Sequence, residues 1–82
     1  MPLNFKLYMR SNCSLCEAME EELRPYVQSH GITVIRQFID NDKDLELLYG
    51  AKVPVLIQDK KILCHYFLDT EILLNAIAES HN

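Results

Sequence analysis

The spacing of apolar residues changes across one short break in this chain, and a pair of cysteines sits on the break. Leu3, Phe5, Leu7 and Met9 alternate with Asn4, Lys6, Tyr8 and Arg10, the period-two signature of a strand with two unlike faces. Ser11 and Asn12 interrupt that pattern. From Ser14 to His30 the apolar positions Cys16, Met19, Leu23, Tyr26, Val27 and His30 recur every three or four residues, the stripe of an amphipathic helix. Pro25 falls inside this helix and is expected to remove one backbone bond and bend it, since the stripe continues beyond. Gly31 supplies a C-terminal cap.

The rest of the chain continues the alternation of element types. Ile32 to Ile39 is β-branched and apolar but carries Arg36 and Gln37, which suits a strand at a sheet edge. Asp40, Asn41 and Asp42 are N-cap candidates for a short helix through Tyr49, stopped by Gly50. Val55 to Gln58 and Ile62 to Phe67 read as two further strands joined by a turn at Asp59-Lys60, where Lys60 stands in a place that usually wants Gly. Asp69 caps a last helix with the stripe Ile72, Leu73, Ala76 and Ile77. The order is β-α-β-α-β-β-α. A right-handed βαβ unit followed by a hairpin and a helix predicts an α/β fold, a mixed four-stranded sheet with helices on both faces.

Composition narrows the function classes. The chain has 82 residues, enough for a single domain over 1–82. Folding at this size buries roughly 63% of the unfolded surface, which supports one modest core. Apolar residues at 49% and charged residues at 24% exclude a disordered tail. A net charge of −4 carries no basic footprint for nucleic acid. The acidic runs Glu20 to Glu22 and Asp40 to Asp44 read as solvated faces. The longest apolar stretches, such as Val53 to Ile57, are far too short to cross a membrane. The first six residues lack the apolar core and cleavage site of a secretory signal, so the expected address is cytoplasmic. Nothing in the composition calls for more than a monomer.

The cysteines then carry the chemistry. Three cysteines cannot close a disulfide framework, and in a reducing compartment structural disulfides are rare. Cys13-Ser14-Leu15-Cys16 instead has the spacing of a redox pair or half a metal site. The first N–H groups of a helix lack internal partners and the dipole there is positive, so a thiolate at Cys13 is expected below the free value of about 8.5. The i, i+3 spacing brings two Cα atoms within the roughly 4.4–6.8 Å that a disulfide needs. The plain alternative is two inert cysteines, but Cys13 falls in a polar turn off both apolar stripes. Zinc usually takes four ligands, and there is neither a second Cys pair nor a close His pair. His30, His65 and His81 receive no chemical role, and Cys64 reads as a buried strand cysteine.

The run Tyr8-Met9-Arg10-Ser11-Asn12-Cys13-Ser14-Leu15-Cys16, with Val53-Pro54 much later, resembles the glutaredoxin branch of the thioredoxin fold. It is most similar to small bacterial glutaredoxin-like proteins. The resemblance covers nearly the whole chain. It implies Cys13 as exposed nucleophile, Cys16 as resolving thiol, and a cis Val53–Pro54 bond packed against the pair. The Val53 backbone would then face outward to pair with an extended thiol substrate. Arg10 matches a basic position used toward a glutathione carboxylate, with a solvated surface charge as its alternative. Asp69 lies near the acidic position used for the other end of glutathione, with a plain N-cap as its alternative. The departures are Ser14-Leu15 for Pro-Tyr, Lys52 for the Thr before Val-Pro, and Cys64-His65 where a Gly pair lets glutathione approach. Asn12 stands where thioredoxins have Trp, and Leu7 where they have a buried acid.

The resulting expectation is a thiol–disulfide oxidoreductase with Cys13 and Cys16 catalytic. Arg10, Lys52, Val53, Pro54 and Asp69 would bind substrate, and Lys52 and Arg10 would lower the Cys13 pKa if they point at it. No tightly bound cofactor or metal is expected. Glutathione would serve as reductant or substrate, and the partners would be protein or small-molecule thiols and disulfides, or a thioredoxin-type reductase. The alternative is a non-catalytic binding module that uses the groove beside Val53-Pro54. A weaker third reading is a thiol ligand that carries a metal or iron–sulfur cluster between chains.

Overall fold

The computed structural model describes residues 3–80. His81 and the first two residues of the N-terminal segment lie outside the described residues. The elements run β1 (Asn4–Met9), α1 (Ser14–His30), β2 (Thr33–Phe38), α2 (Lys43–Tyr49), β3 (Val55–Gln58), β4 (Lys61–His65) and α3 (Thr70–Ser80). The sheet is mixed, with strand order β2-β1-β3-β4. β1 runs parallel to β2 and antiparallel to β3, and β4 returns antiparallel to β3. β2 is thus an edge strand, which explains how it tolerates Arg36 and Gln37.

Period-two patterning in β1 separates two faces. Phe5, Leu7 and Met9 are buried, and Leu7 pairs with the buried Leu56 of β3. Cys16, Met19 and Leu23 of α1 and Leu73, Ala76 and Ile77 of α3 belong to the same core cluster. On the other face Tyr8 stacks on Tyr49 of α2, with ring centroids 4.6 Å apart. Helices therefore cover both faces, but α2 is short and contributes no fully buried residue.

Several local expectations change. The α1 stripe is buried only through Leu23, while Val27 and His30 are exposed. The helix passes Pro25 without ending, and Ser29 Oγ donates to the Pro25 carbonyl at 2.8 Å. Ile72 of the α3 stripe is also exposed. Gly50 does cap α2 as expected, in the right-handed region at φ −52°, with its N–H donating to the Glu46 carbonyl. β4 stops at His65 because Tyr66 takes φ +65° and turns the chain out of the sheet. Within β4 the register slips: Leu56 faces Cys64 while Ile57 faces Ile62. Leu63 is the extra residue, and the bulge lets it enter the core while Cys64 is only half-buried. At the hairpin Asp59 has φ +56°, whereas Lys60 has no positive φ, so Lys60 meets no steric penalty.

Candidate active site

Strand directions gather the chemistry at one end of the sheet. Tyr8 pairs with Val55, so the residues after β1 and those before β3 meet at that end. Val55 also pairs with His65, which brings Tyr66 and Phe67 there. β2 is parallel to β1 and delivers Asp40 to the same place. Arg10 to Cys13, Val53-Pro54 and Tyr66-Phe67 thus come together from distant parts of the sequence.

Cys13 is the N-cap of α1, in extended conformation, and its Sγ accepts from the Cys16 backbone N–H at 3.2 Å. Asn12 precedes it at φ +56°, a left-handed conformation that Asn adopts more easily than most residues. The two sulfurs lie at disulfide distance, with Cα atoms 5.2 Å apart. Their environments differ sharply. Cys16 is fully buried, while Cys13 is half-buried and flanked by the exposed Ser14 and Leu15. An attacking or leaving sulfur can reach Cys13 and not Cys16. Among the described residues no three His, Cys, Asp or Glu side chains are grouped so as to hold a metal ion.

The Val53–Pro54 bond is cis, and both residues are buried. The loop around it is held by Tyr66, whose N–H donates to the Pro54 carbonyl at 3.0 Å and whose hydroxyl donates to the Ala51 carbonyl. The Lys52 N–H donates to the Tyr49 carbonyl at 2.8 Å. Among the described residues the Val53 N–H and C=O have no hydrogen-bond partner.

Arg10 is engaged by α2 and not by the cysteines. Its Nη1 and Nη2 donate to the two carboxylate oxygens of Glu46 at 2.6 and 3.0 Å, and Nη2 also donates to the Gly50 carbonyl at 2.9 Å. The bond to Glu46 holds the guanidinium pKa above its ordinary value. Arg10 is thereby a tie between β1 and α2 rather than a free surface cation. Asp69 caps α3, its Oδ1 accepting from the Ile72 N–H at 3.1 Å. The Lys52 side chain is exposed and makes no ion pair among the described residues. The Ser11 N–H donates to Asp40 Oδ1 at 3.0 Å, which holds the Asp40 carboxyl below its usual range.

The places of Tyr66, Phe67, Glu46 and Asp40 at this site are not legible in the sequence: Asp40 is an N-cap candidate there, whereas Asp42 caps α2 and Asp40 accepts from Ser11. Their roles arise from chain reversals and long-range pairing, for which the local pattern has no signal. A tyrosine at positive φ in particular leaves no mark in the sequence.

The family model described as Glutaredoxin-like domain (DUF836) matches residues 4–78. None of the curated proteins matches the chain. Protein Ne2328 from Nitrosomonas europaea is 35% identical, with 93% of this chain and 92% of that one covered and a TM-score of 0.84. The structural genomics target protein XcR50 from X. campestris is 32% identical over 92% of this chain and 96% of that one, with a TM-score of 0.74. The germline-specific thioredoxin Deadhead from Drosophila melanogaster shares the fold at 19% identity, TM-score 0.60, over 95% of this chain and 80% of that one. With its sheet order, its cysteine pair at the head of α1 and a family match across nearly its whole length, the chain belongs to the glutaredoxin-like (DUF836) family, with a thioredoxin-like fold.

Proposed function

We propose that this protein is a thiol–disulfide oxidoreductase of the cytoplasm. The observation that carries the reading is the asymmetry of the pair: an accessible Cys13 whose sulfur already accepts a helix N–H, beside a fully buried Cys16. In the reduced protein, Cys13 thiolate attacks one sulfur of a substrate disulfide. That S–S bond breaks, and the leaving thiolate takes a proton. Cys16 then attacks Cys13 Sγ and releases the second substrate thiol. Two electrons have passed to the substrate, and the protein holds a Cys13–Cys16 disulfide. A thiol reductant, glutathione or the dithiol of a thioredoxin-type reductase, restores the pair.

The helix start supports the nucleophile. Its N–H groups and dipole favour the thiolate over the thiol. The unpaired N–H and C=O of Val53 supply a short edge on which an extended substrate backbone can lie. Lys52 stands next to that edge as an exposed cation with no ion pair among the described residues. Arg10 and Asp69 act on the protein itself in this reading, the first through Glu46 and the second as the α3 cap.

A redox titration of Cys13 and Cys16 against glutathione buffers, read by alkylation and mass, tests the proposal. The expected result is a reversible intramolecular disulfide with a potential within roughly −270 to −120 mV. Cys13→Ser abolishes turnover, and a fully active Cys13→Ser protein overturns the mechanism. The same Val53 edge also fits a second reading, a binding module that holds an extended partner without chemistry. No reversible disulfide, with a Cys13 thiol no more acidic than a free one, would favour it.

A further inference from the structure

The end of the sheet that carries Cys13 is apolar and acidic at once. Phe67 is 71% exposed, and Tyr66 and Leu15 are 40% and 39% exposed, at the end where Cys13 and Val53 meet. Tyr66 holds its place although φ +65° strains a non-glycine residue, fixed by its N–H and hydroxyl on the loop that carries Val53. The aromatic pair is thus a built, exposed feature at the same end of the sheet as the reactive sulfur.

Charge selects among ligands for such a surface. The Arg10 guanidinium has its charge paired with Glu46 and a further N–H on the Gly50 carbonyl. Glu17 in the first turn of α1, Asp40 after β2 and Asp69 before α3 add negative charge. The whole chain carries −4. A small anionic tripeptide such as glutathione would meet three carboxylates, a guanidinium already paired with Glu46, and the exposed Lys52 ammonium for one of its carboxylates. A polypeptide segment with an apolar side chain beside its cysteine, and basic residues flanking that, would meet complementary charge, an apolar seat and the open Val53 backbone.

We propose that the Cys13 site takes disulfides within extended, basic-flanked polypeptide segments in preference to glutathione disulfide, with Phe67 and Tyr66 seating the apolar residue next to the substrate cysteine. The inference rests on the oxidoreductase reading for its chemistry, which follows the exchange steps above with a polypeptide disulfide as the electron acceptor. The docking surface itself does not need that chemistry.

Two measurements test it. The first compares reduction of glutathione disulfide with that of a synthetic peptide disulfide bearing leucine beside each cysteine and lysine flanks. The peptide should be preferred by about tenfold or more in kcat/KM, a difference the size of one seated apolar side chain. Phe67→Ala should cost the peptide about tenfold. Its cost to the glutathione rate should be several-fold smaller, with the Cys13–Cys16 midpoint potential as in the wild type, which separates a specificity role from a structural one. Equal or better use of glutathione disulfide overturns the proposal, as does an equal loss on both substrates. The second measurement uses the same peptide with serine in place of cysteine, followed by shifts in the Tyr66 and Phe67 ring resonances. Binding is expected in the wild type and lost in Phe67→Ala. No binding, with the redox titration intact, overturns the surface alone. Binding without a reversible disulfide overturns the oxidoreductase reading alone.

Discussion

Arg10 and Glu46, 36 residues apart, form a two-pronged ion pair at 2.6 and 3.0 Å that ties the last turn before the cysteines to α2. The fork geometry, rather than the charge, makes this pair specific. Arg10→Lys keeps the charge but loses the second prong and the bond to the Gly50 carbonyl. Its melting temperature should fall below wild type. Arg10→Lys combined with Glu46→Gln should lose less than the sum of the two single changes, since both remove one interaction. Strict additivity in that cycle would show that the pair is not coupled.

The two glycines are needed for different reasons, and alanine substitution separates them. Gly31 caps α1 at φ +65° with nothing within 4 Å of an added Cβ. Gly31→Ala should therefore cost about 1–2 kcal/mol from backbone conformation alone. Gly31→Asn should recover part of that, because Asn visits this region more readily. At Gly50 the backbone is ordinary, but an added Cβ would press on the Glu46 carbonyl and lie 2.9 Å from Glu46 Oε2 and 3.3 Å from Arg10 Nη2. Gly50→Ala should destabilise by displacing the ion pair, and Gly50→Asn should be no better. Rescue by Asn at both sites would contradict the steric account. Thermal melts of the four variants decide.

Asp40 sets part of the acid limb of stability. Its carboxyl sits below the usual range, chiefly because the Ser11 N–H donates to it. A carboxylate lowered by folding contributes stability above its unfolded pKa of about 3.9, and the contribution is lost as pH falls through the lower folded value. Asp40→Asn should flatten the stability profile in that acid window and change little in its slope near neutral pH. Chemical denaturation across the acid range measures this, and an unchanged acid slope would remove Asp40 from the account.

These contacts also show where the sequence is legible. The alternation of Phe5, Leu7 and Met9 marks the buried face of β1, and the N-caps at Asp42 and Asp69 stand in both sequence and structure. Such features are local, set by period and by side chains that reach their own backbone. The Cys13–Cys16 approach is local too, since three residues at a helix start fix it. The end of β4 is not. Ile62 to Phe67 has a strand's composition, yet the bulge at Leu63 and the turn at Tyr66 end it early. Pairing across the sheet outweighs propensity there. Arg10 illustrates the same limit at the site: a cation before the cysteines can face ligand or fold, and only the placement of α2 decides.

Tyr66 combines a backbone cost with two compensating bonds, so its variants should diverge. Tyr66→Phe retains the ring and the positive φ but loses the hydroxyl bond to the Ala51 carbonyl. It should lose about 0.5–1.5 kcal/mol, the net worth of one hydrogen bond. Tyr66→Gly loses the ring as well but relieves the φ +65° conformation. Its stability should therefore lie close to that of Tyr66→Phe despite the larger deletion. A Tyr66→Gly protein far less stable than Tyr66→Phe would show that the ring, and not the strap, holds the Val53 loop.

The third cysteine supplies an internal control for the reactive one. Cys64 is half-buried in β4, and burial pushes its thiol pKa up. The Asp69 backbone N–H pulls in the opposite direction, and the Asp69 charge adds to the rise. In the reduced protein at neutral pH, limiting alkylating agent should therefore modify Cys13 well before Cys64. Cys64 should become reactive only above the range of a free thiol, about 8.5. Asp69→Asn keeps a capping side chain and the backbone N–H but removes the charge. It should shift Cys64 reactivity to lower pH by more than it shifts Cys13. Mass spectrometry of alkylated peptides across pH reads both sites in one sample. If Cys64 reacts first at neutral pH, the assignment of the nucleophile to the helix start fails, whatever the activity assays show.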